Sequence, residues 1–549
     1  MNQHVFGRIG RSYLARKDVL VQLAELIAAL SDPRIYPHPV ATVEVRQTHI
    51  SVVFLAGPFV YKIKKPVNLG FLDFSSLEKR RHFCEEEVRL NARLAPGVYR
   101  GVVPISRRGS GLAVEGSDEA VEWAVKMERL ADEATLEHRL RHGTVDDATV
   151  SKLARTIAAF HRHAERSERI AACGSFDVVA ANARQNFAQS APQRGVALSP
   201  TVFDNLQRLT EEVFGQQRAL IEARARRGVP CDTHGDLRLE HVYLFPDHKP
   251  PADLLIIDCI EFSEQLRFAD PVADMAFLVM DLKFHGRHDL ARTLIDAYFL
   301  ASDDQEGRTL LPFYCCYRAA VRGKVEGLKM SEPEVPEAER LESLGRARQY
   351  WLLALQELEP PGQRPGLVLI GGLPGTGKST LAAELAARAG MSVIRTDVVR
   401  KELAGVPAAP SSGQAFEHGI YTREWTERTY QECLRRVEQL LFKGQRVAID
   451  ASFREEAWRR AFLDGAKRWG VGAVFLLCHA EADTVRRRLD ARRGDASDAD
   501  WKIYLQAAQA WQDPEPATRT AMRTIDTHSD SPRPLDQALS ALRDVQLYA

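Results

Sequence analysis

The stretch Gly372-Leu373-Pro374-Gly375-Thr376-Gly377-Lys378-Ser379 satisfies the pattern G-x-x-x-x-G-K-[ST] at every position. It stands between a continuous apolar run at residues 367–370, which reads as a buried strand, and residues 379–388, where Leu381 and Leu385 recur one helical turn apart. A loop between strand and helix is the context this motif requires. Its glycines let successive backbone N–H groups turn inward around phosphate oxygens. The helix N-terminus adds partial positive charge. Lys378 supplies a full charge opposite the β- and γ-phosphates, and Ser379 supplies a hydroxyl for Mg²⁺. Residues Gly372, Leu373, Pro374, Gly375, Thr376, Gly377, Lys378, Ser379 and Thr380 are therefore expected to hold ATP with Mg²⁺.

Outward from this loop, strands are expected at 391–394, 446–449 and 473–477, with a helix at 423–442. Strands alternating with helices imply an α/β domain built on a parallel sheet. Asp397 and Asp450 follow two of these strands, and strand C-termini in such sheets face the ligand crevice. Asp450 is assigned to the Mg²⁺ shell and Asp397 to orienting or deprotonating an acceptor hydroxyl. A helix N-cap role is the alternative for each. A cationic stretch follows the last strand, with Arg486, Arg487, Arg488, Arg492 and Arg493 before Gly494-Asp495. It reads either as a lid over the phosphates, with Arg486 and Arg493 as its contacts, or as a solvated helix face. From residue 366 to about 549 the sequence resembles the P-loop kinase group that includes gluconate kinase, polynucleotide kinase and zeta-toxin-like kinases. The resemblance places the acceptor-activating carboxylate at Asp397, in Thr396-Asp397-Val398-Val399-Arg400-Lys401.

Upstream, Glu359-Pro360-Pro361-Gly362-Gln363-Arg364-Pro365-Gly366 cannot continue a helix and marks a boundary. The expected organisation is a small β-rich lobe at 1–130, a helical lobe at 131–358, a linker at 359–366 and the P-loop domain at 367–549. Short strands are expected at 49–55 and 59–63 around a Gly57-Pro58 turn, a helix at 77–94 and a strand at 101–105, ahead of a largely helical stretch at 146–227.

A second constellation lies in this N-terminal region. The loop Asp232-Thr233-His234-Gly235-Asp236-Leu237-Arg238-Leu239-Glu240-His241 is followed by Leu254-Leu255-Ile256-Ile257-Asp258, a strand ending in a carboxylate. It resembles the aminoglycoside-phosphotransferase family, whose fold is an α+β, two-lobed, protein-kinase-like one and whose catalytic loop reads H-G-D-x-x-x-x-N. The resemblance makes Asp236 the catalytic base and Asp258 a metal ligand. His241 stands where the family has asparagine, and its nitrogen suits Mn²⁺ at least as well as Mg²⁺. The resemblance also makes Lys62 the phosphate-holding lysine and Glu87 its ion-pair partner, with Lys64 and Glu86 as close competitors, and lets Asp270 and Asp274 brace the loop. No Gly-rich phosphate loop precedes Lys62. His161 and His163 read as structural. The two motif sets in this order resemble bacterial proteins described as bifunctional aminoglycoside phosphotransferase-like and ATP-binding.

The 549 residues carry 74 basic and 74 acidic side chains, a balance that argues against a dedicated nucleic-acid or membrane-surface binder. Apolar runs are strand-sized, far short of a membrane span. Eight scattered cysteines without CxxC spacing suggest reduced thiols and a cytoplasmic protein. Arg318, Arg322 and Lys324 on the expected helix 314–330 suit an anionic ligand or a solvated face. Two readings stand. One is a two-module ATP-dependent phosphotransferase acting on a small-molecule hydroxyl. The other is a regulatory protein whose kinase-like module senses a ligand without turnover. A mechanical ATPase is disfavoured, because the P-loop domain leaves no room for a further subdomain.

Overall fold

A computed structural model of the chain describes residues 17–70, 72–109, 111–333, 335–405, 420, 422–491, 500–528 and 533–549. Its contacts divide into two compact units: one drawn from 1–179, 218–282 and 287–311, the other from 180–217, 283–286 and 312–549.

The first unit is a kinase-like α+β body. Its sheet joins β1 (Val43–Gln47), β2 (Ser51–Ala56), β3 (Phe59–Lys64), β4 (Tyr99–Arg108), β5 (Gly111–Val114) and β6 (Ala120–Glu128) in the order β1-β2-β3-β6-β4-β5. Alternation along β3 sends Tyr61 and Ile63 into one core with Val52, Phe54 and Ala124. Val60, Lys62 and Lys64 therefore share the other face. Tight two-stranded pairs frame the following helical part: β7 (Cys231–Asp232) pairs with β10 (Phe268–Ala269), and β8 (Val242–Leu244) with β9 (Leu254–Ile256). The helix Pro271–Phe284 that follows β10 is buried at every residue from Pro271 to Leu282.

The second unit holds a five-stranded sheet of β11 (Gly366–Gly371), β12 (Ser392–Arg395), β13 (Arg446–Asp450), β14 (Gly472–His479) and β15 (Met522–Asp526), in the order β12-β13-β11-β14-β15. Every pairing is parallel, as the strand–helix alternation predicts. Register aligns Ile370 with Asp450 and Asp450 with Arg395, so three strand ends finish side by side. The strand β15 has no counterpart in the sequence-based expectation.

The helix Glu337–Leu358 falls in the second unit, together with residues 180–217 of the helical stretch as well as the P-loop domain. It buries Tyr350, Trp351, Leu352, Leu353 and Leu355. Gln356 Nε2 donates to Gly470 O at 2.8 Å. A Cβ on Gly444 would come within 3.0 Å of Leu355. Segment 359–366 is likewise tied down rather than loose: Arg364 Nε donates to Glu359 O at 3.0 Å and Arg446 Nη1 to Gly362 O at 2.6 Å.

Glu359 is 7% exposed, and its Oε2 has no hydrogen-bond partner among the described residues. Burial pushes its pKa up to about 7, against the pull of Arg208, Arg364 and Arg446. The folded protein keeps this proton up to about pH 7, while the unfolded chain releases it near about 4.3. Stability contributed here is thus full below the unfolded value and falls as pH rises through the window between the two. Glu359→Gln is expected to leave the denaturant midpoint unchanged at pH about 4 and to raise stability by about 2 kcal/mol at pH about 8. Equal shifts at both pH values would contradict this assignment.

Candidate active sites

In the P-loop unit the chain turns sharply after β11 through Gly372, Gly375 and Gly377, with φ of +137°, +79° and +90°. Space as well as φ requires glycine at Gly372, whose Cβ would lie 2.5 Å from Cys478 O. Lys378 Nζ donates to Leu373 O at 2.8 Å, folding back over the loop. Ser379 Oγ donates to Asp450 Oδ2 at 2.6 Å. Both groups accept company from Arg395: its Nε lies 3.3 Å from Asp450 Oδ2, and its Nη2 donates to Ser379 Oγ at 3.3 Å. A hydroxyl and a carboxylate converging on one positive group form a hard oxygen donor pair of the kind Mg²⁺ takes. Asp397 begins the helix Thr396–Leu403 beside them. Burial and the Asp450 carboxylate raise its pKa, opposed by Arg400, Lys378 and Arg395. Arg400 donates to Ile420 O at 2.9 Å.

In the kinase-like unit the shared face of β3 explains a chain of alternating charges. Lys62 Nζ lies 2.8 Å from Asp258 Oδ1 and 2.9 Å from Glu87 Oε1. Lys64 Nζ, wholly buried, lies 2.8 Å from Glu87 Oε2 and also bonds Glu261. Glu87 comes from the helix Leu77–Asn91. Burial alone would raise the Asp258 carboxyl, but Lys62 and His241 hold it well below the usual carboxylate range. Asp258 adopts φ +63°, in the left-handed region. The loop before it hangs on Asp274, which accepts from His234 N at 3.0 Å and Gly235 N at 2.9 Å. Asp274 is in turn held by His161, 3.1 Å away, whose other nitrogen lies 2.9 Å from Tyr298 Oη. His241 Nδ1 lies 2.8 Å from Asp236 O, and its Nε2 3.6 Å from Asp258 Oδ2. Burial lowers the His241 pKa, but Asp236, Asp258 and Glu240 outweigh it and the net shift is upward. Lys62 is thus a cation already seated at Asp258, so the position accepts positive charge.

The structure brings together Lys378, Ser379, Asp397 and Asp450 in one unit, and Lys62, Glu87, Asp236, His241 and Asp258 in the other. Lys64 joins Lys62 on Glu87, whereas Glu86 pairs at the surface with Arg89. Asp270 holds Arg224 at 2.7 Å rather than the loop itself. Among the arginines after β14, Arg486 lies over the Trp501 ring, and Arg488 Nη2 donates to Thr527 O at 2.6 Å. Arg492, Arg493, Gly494 and Asp495 lie outside the described residues. Arg395 and Thr527 escaped the sequence reading. Thr527 Oγ1 sits 2.9 Å from Thr376 O, bracing the P-loop from beyond β15. It directly follows β15, the strand that the sequence reading did not anticipate. Among the described residues no helix is long and apolar enough to cross a membrane.

A family model described as "AAA domain" matches residues 367–513. Among solved structures, a gluconokinase from Sinorhizobium meliloti 1021 is similar at 16% identity, covering 34% of this chain and 94% of its own, with a TM-score of 0.25. The GDP complex of aminoglycoside 2'-phosphotransferase-IIIa is similar at 16% identity, covering 61% of this chain and 99% of its own, with a TM-score of 0.38. A choline/ethanolamine kinase family protein from Mesorhizobium loti gives 13% identity, 62% and 99% coverage, and a TM-score of 0.35. The uncharacterized protein Mb2027c of Mycobacterium bovis is 33% identical over 504 residues, 91% of this chain and 96% of the relative. The uncharacterized protein Rv2004c of Mycobacterium tuberculosis H37Rv matches with the same identity and coverage. By that match along nearly its whole length, this chain, a kinase-like N-terminal unit followed by a C-terminal P-loop domain, belongs to the family of Rv2004c.

Proposed function

We propose that the C-terminal unit is an ATP-dependent phosphotransferase acting on a hydroxyl of a small molecule. The observation that carries the proposal is the meeting of Lys378, Ser379, Asp450 and Asp397 at adjoining strand ends and the P-loop. Lys378 exchanges Leu373 O for phosphate oxygens when nucleotide enters, and the loop amides complete the cradle. Ser379 and Asp450 would hold Mg²⁺, which would neutralise charge on the phosphates. Asp397 orients the acceptor hydroxyl and takes its proton on a carboxylate oxygen as that hydroxyl bonds to the γ-phosphorus and the bridge to ADP breaks. Burial and Asp450 raise its pKa and so make it a better base than a surface aspartate.

The kinase-like unit is proposed as a second nucleotide site, with Lys62, positioned by its ion pair with Glu87, on the phosphates, Asp258 and His241 toward metal, and Asp236 as base. A reading without turnover is favoured by one observation: the His241 ring, in place of an amide, lies between Asp236 O and the Asp258 carboxylate. That unit would then sense nucleotide or another ligand.

Lys378→Ala is expected to abolish ATP-dependent transfer by the P-loop unit while leaving the chain folded; full transfer by the folded variant contradicts the assignment. Asp397→Asn should lower transfer by roughly two to four orders of magnitude, the range for a lost general base, with nucleotide affinity preserved. Collapse of nucleotide binding with normal transfer per bound nucleotide would make Asp397 a metal or structural residue instead. In the Lys378→Ala chain, calorimetry should still detect metal-dependent ATP binding, abolished by Asp258→Asn and shifted toward Mg²⁺ by His241→Asn. Absence of any such binding with either Mg²⁺ or Mn²⁺ removes the second site.

A further inference from the structure

The parallel register that aligns β12 with β13 sets Arg395 directly beside Asp450. Side chains in register on neighbouring strands point to the same face, so the guanidinium reaches the strand ends where Ser379 begins the helix. Arg395 lies 3.3 Å from both Asp450 Oδ2 and Ser379 Oγ, the two oxygens assigned to the metal. Those oxygens are themselves 2.6 Å apart, and the Asp450 side chain is only 6% exposed. A buried carboxylate left without a cation is strongly unfavourable. Arg395 supplies that cation from the chain itself, yet its side chain keeps 31% exposure. It therefore has an open side toward which it can withdraw.

We propose that Arg395 is a built-in counter-ion of the metal position: it neutralises Asp450 before nucleotide binds and passes to the nucleotide's phosphates when Mg²⁺ takes its place. This rests on the P-loop reading above. A divalent ion and a guanidinium cannot share one carboxylate oxygen and one hydroxyl, because like charges at that range repel. Metal alone must expel Arg395 with no new anion to receive it. Metal arriving with nucleotide expels it toward phosphate oxygens, which a guanidinium binds in a forked geometry. Metal and nucleotide therefore bind cooperatively, each strengthening the other by the same factor. Arg395 is a positioning residue that makes the site select the metal–nucleotide complex over either component.

The test uses the full-length chain carrying Asp258→Asn, so that metal at the kinase-like unit is removed, with Mn²⁺ as the probe. Free Mn²⁺ is followed by electron paramagnetic resonance, with and without ATP. Arg395→Ala is expected to tighten binding of Mn²⁺ alone by roughly tenfold or more, the scale of one charge-assisted contact, and to reduce the enhancement of Mn²⁺ binding by ATP. Arg395→Gln, which keeps the volume, should behave alike if the alanine variant folds poorly, and Arg395→Lys should retain much of the original coupling. Adding Asp450→Asn should weaken Mn²⁺ binding in every background. Unchanged or weaker binding of Mn²⁺ alone in both the Ala and Gln variants overturns the proposal. If the Asp258→Asn chain binds no nucleotide, or binds it equally with Lys378→Ala added, the P-loop reading itself has failed; intact Lys378-dependent binding with unaltered metal coupling sinks only the role of Arg395.

Discussion

A buried carboxylate must be neutralised by cations or hydrogen bonds from the chain itself. Much of the architecture of both units follows from this constraint. In the P-loop unit Asp450 is held by Ser379 and Arg395, which requires β12 and β13 to end in register. In the kinase-like unit Glu87 is held by Lys62 and Lys64, which requires the alternation of β3 to face the helix Leu77–Asn91. The costs of burying charge exceed those of most packing errors. Strand register and side-chain facing in these regions are thus tightly specified by electrostatics as well as by apolar burial.

The parts of this molecule legible in its sequence are those whose geometry is local. Residues 372–379 are contiguous, and a backbone loop that cradles phosphate needs its glycines at fixed spacing, so motif and structure coincide. The alternation Val60-Tyr61-Lys62-Ile63-Lys64 likewise discloses which residues share a face, but not which lysine holds Glu87. The structure gives Glu87 to both, one on each carboxylate oxygen. Glu261 could not be found in this way, because its pairing with Lys64 spans 197 positions. Arg395 was hidden for a related reason: the side chain two residues before Asp397 acquires meaning only from the register of a neighbouring strand.

The boundary between modules shows the same limit. Pro360-Pro361 and Gly362 do stop a helix, as their backbone chemistry demands, but stopping a helix is not the same as separating domains. The helix Glu337–Leu358 packs both ways, Trp351 against Gly323 of the preceding helix and Leu355 against Gly444 of the P-loop domain, and Arg446 reaches back to the intervening segment. Which neighbour buries a hydrophobic face is a tertiary fact that helical periodicity leaves open. At this join one oxygen of Glu359 has no hydrogen-bond partner among the described residues.

Thr527 braces the P-loop carbonyl of Thr376 from 151 residues further along the chain, just past the edge strand β15. During synthesis at about 5–20 residues per second, the phosphate loop leaves the ribosome roughly ten to thirty seconds before its last brace is made. For the last part of that interval, once Gly472–His479 has been made and before Met522–Asp526 follows, the nascent domain exposes the flank of β14 that β15 will later cover, an unpaired edge of the kind that recruits foreign strands.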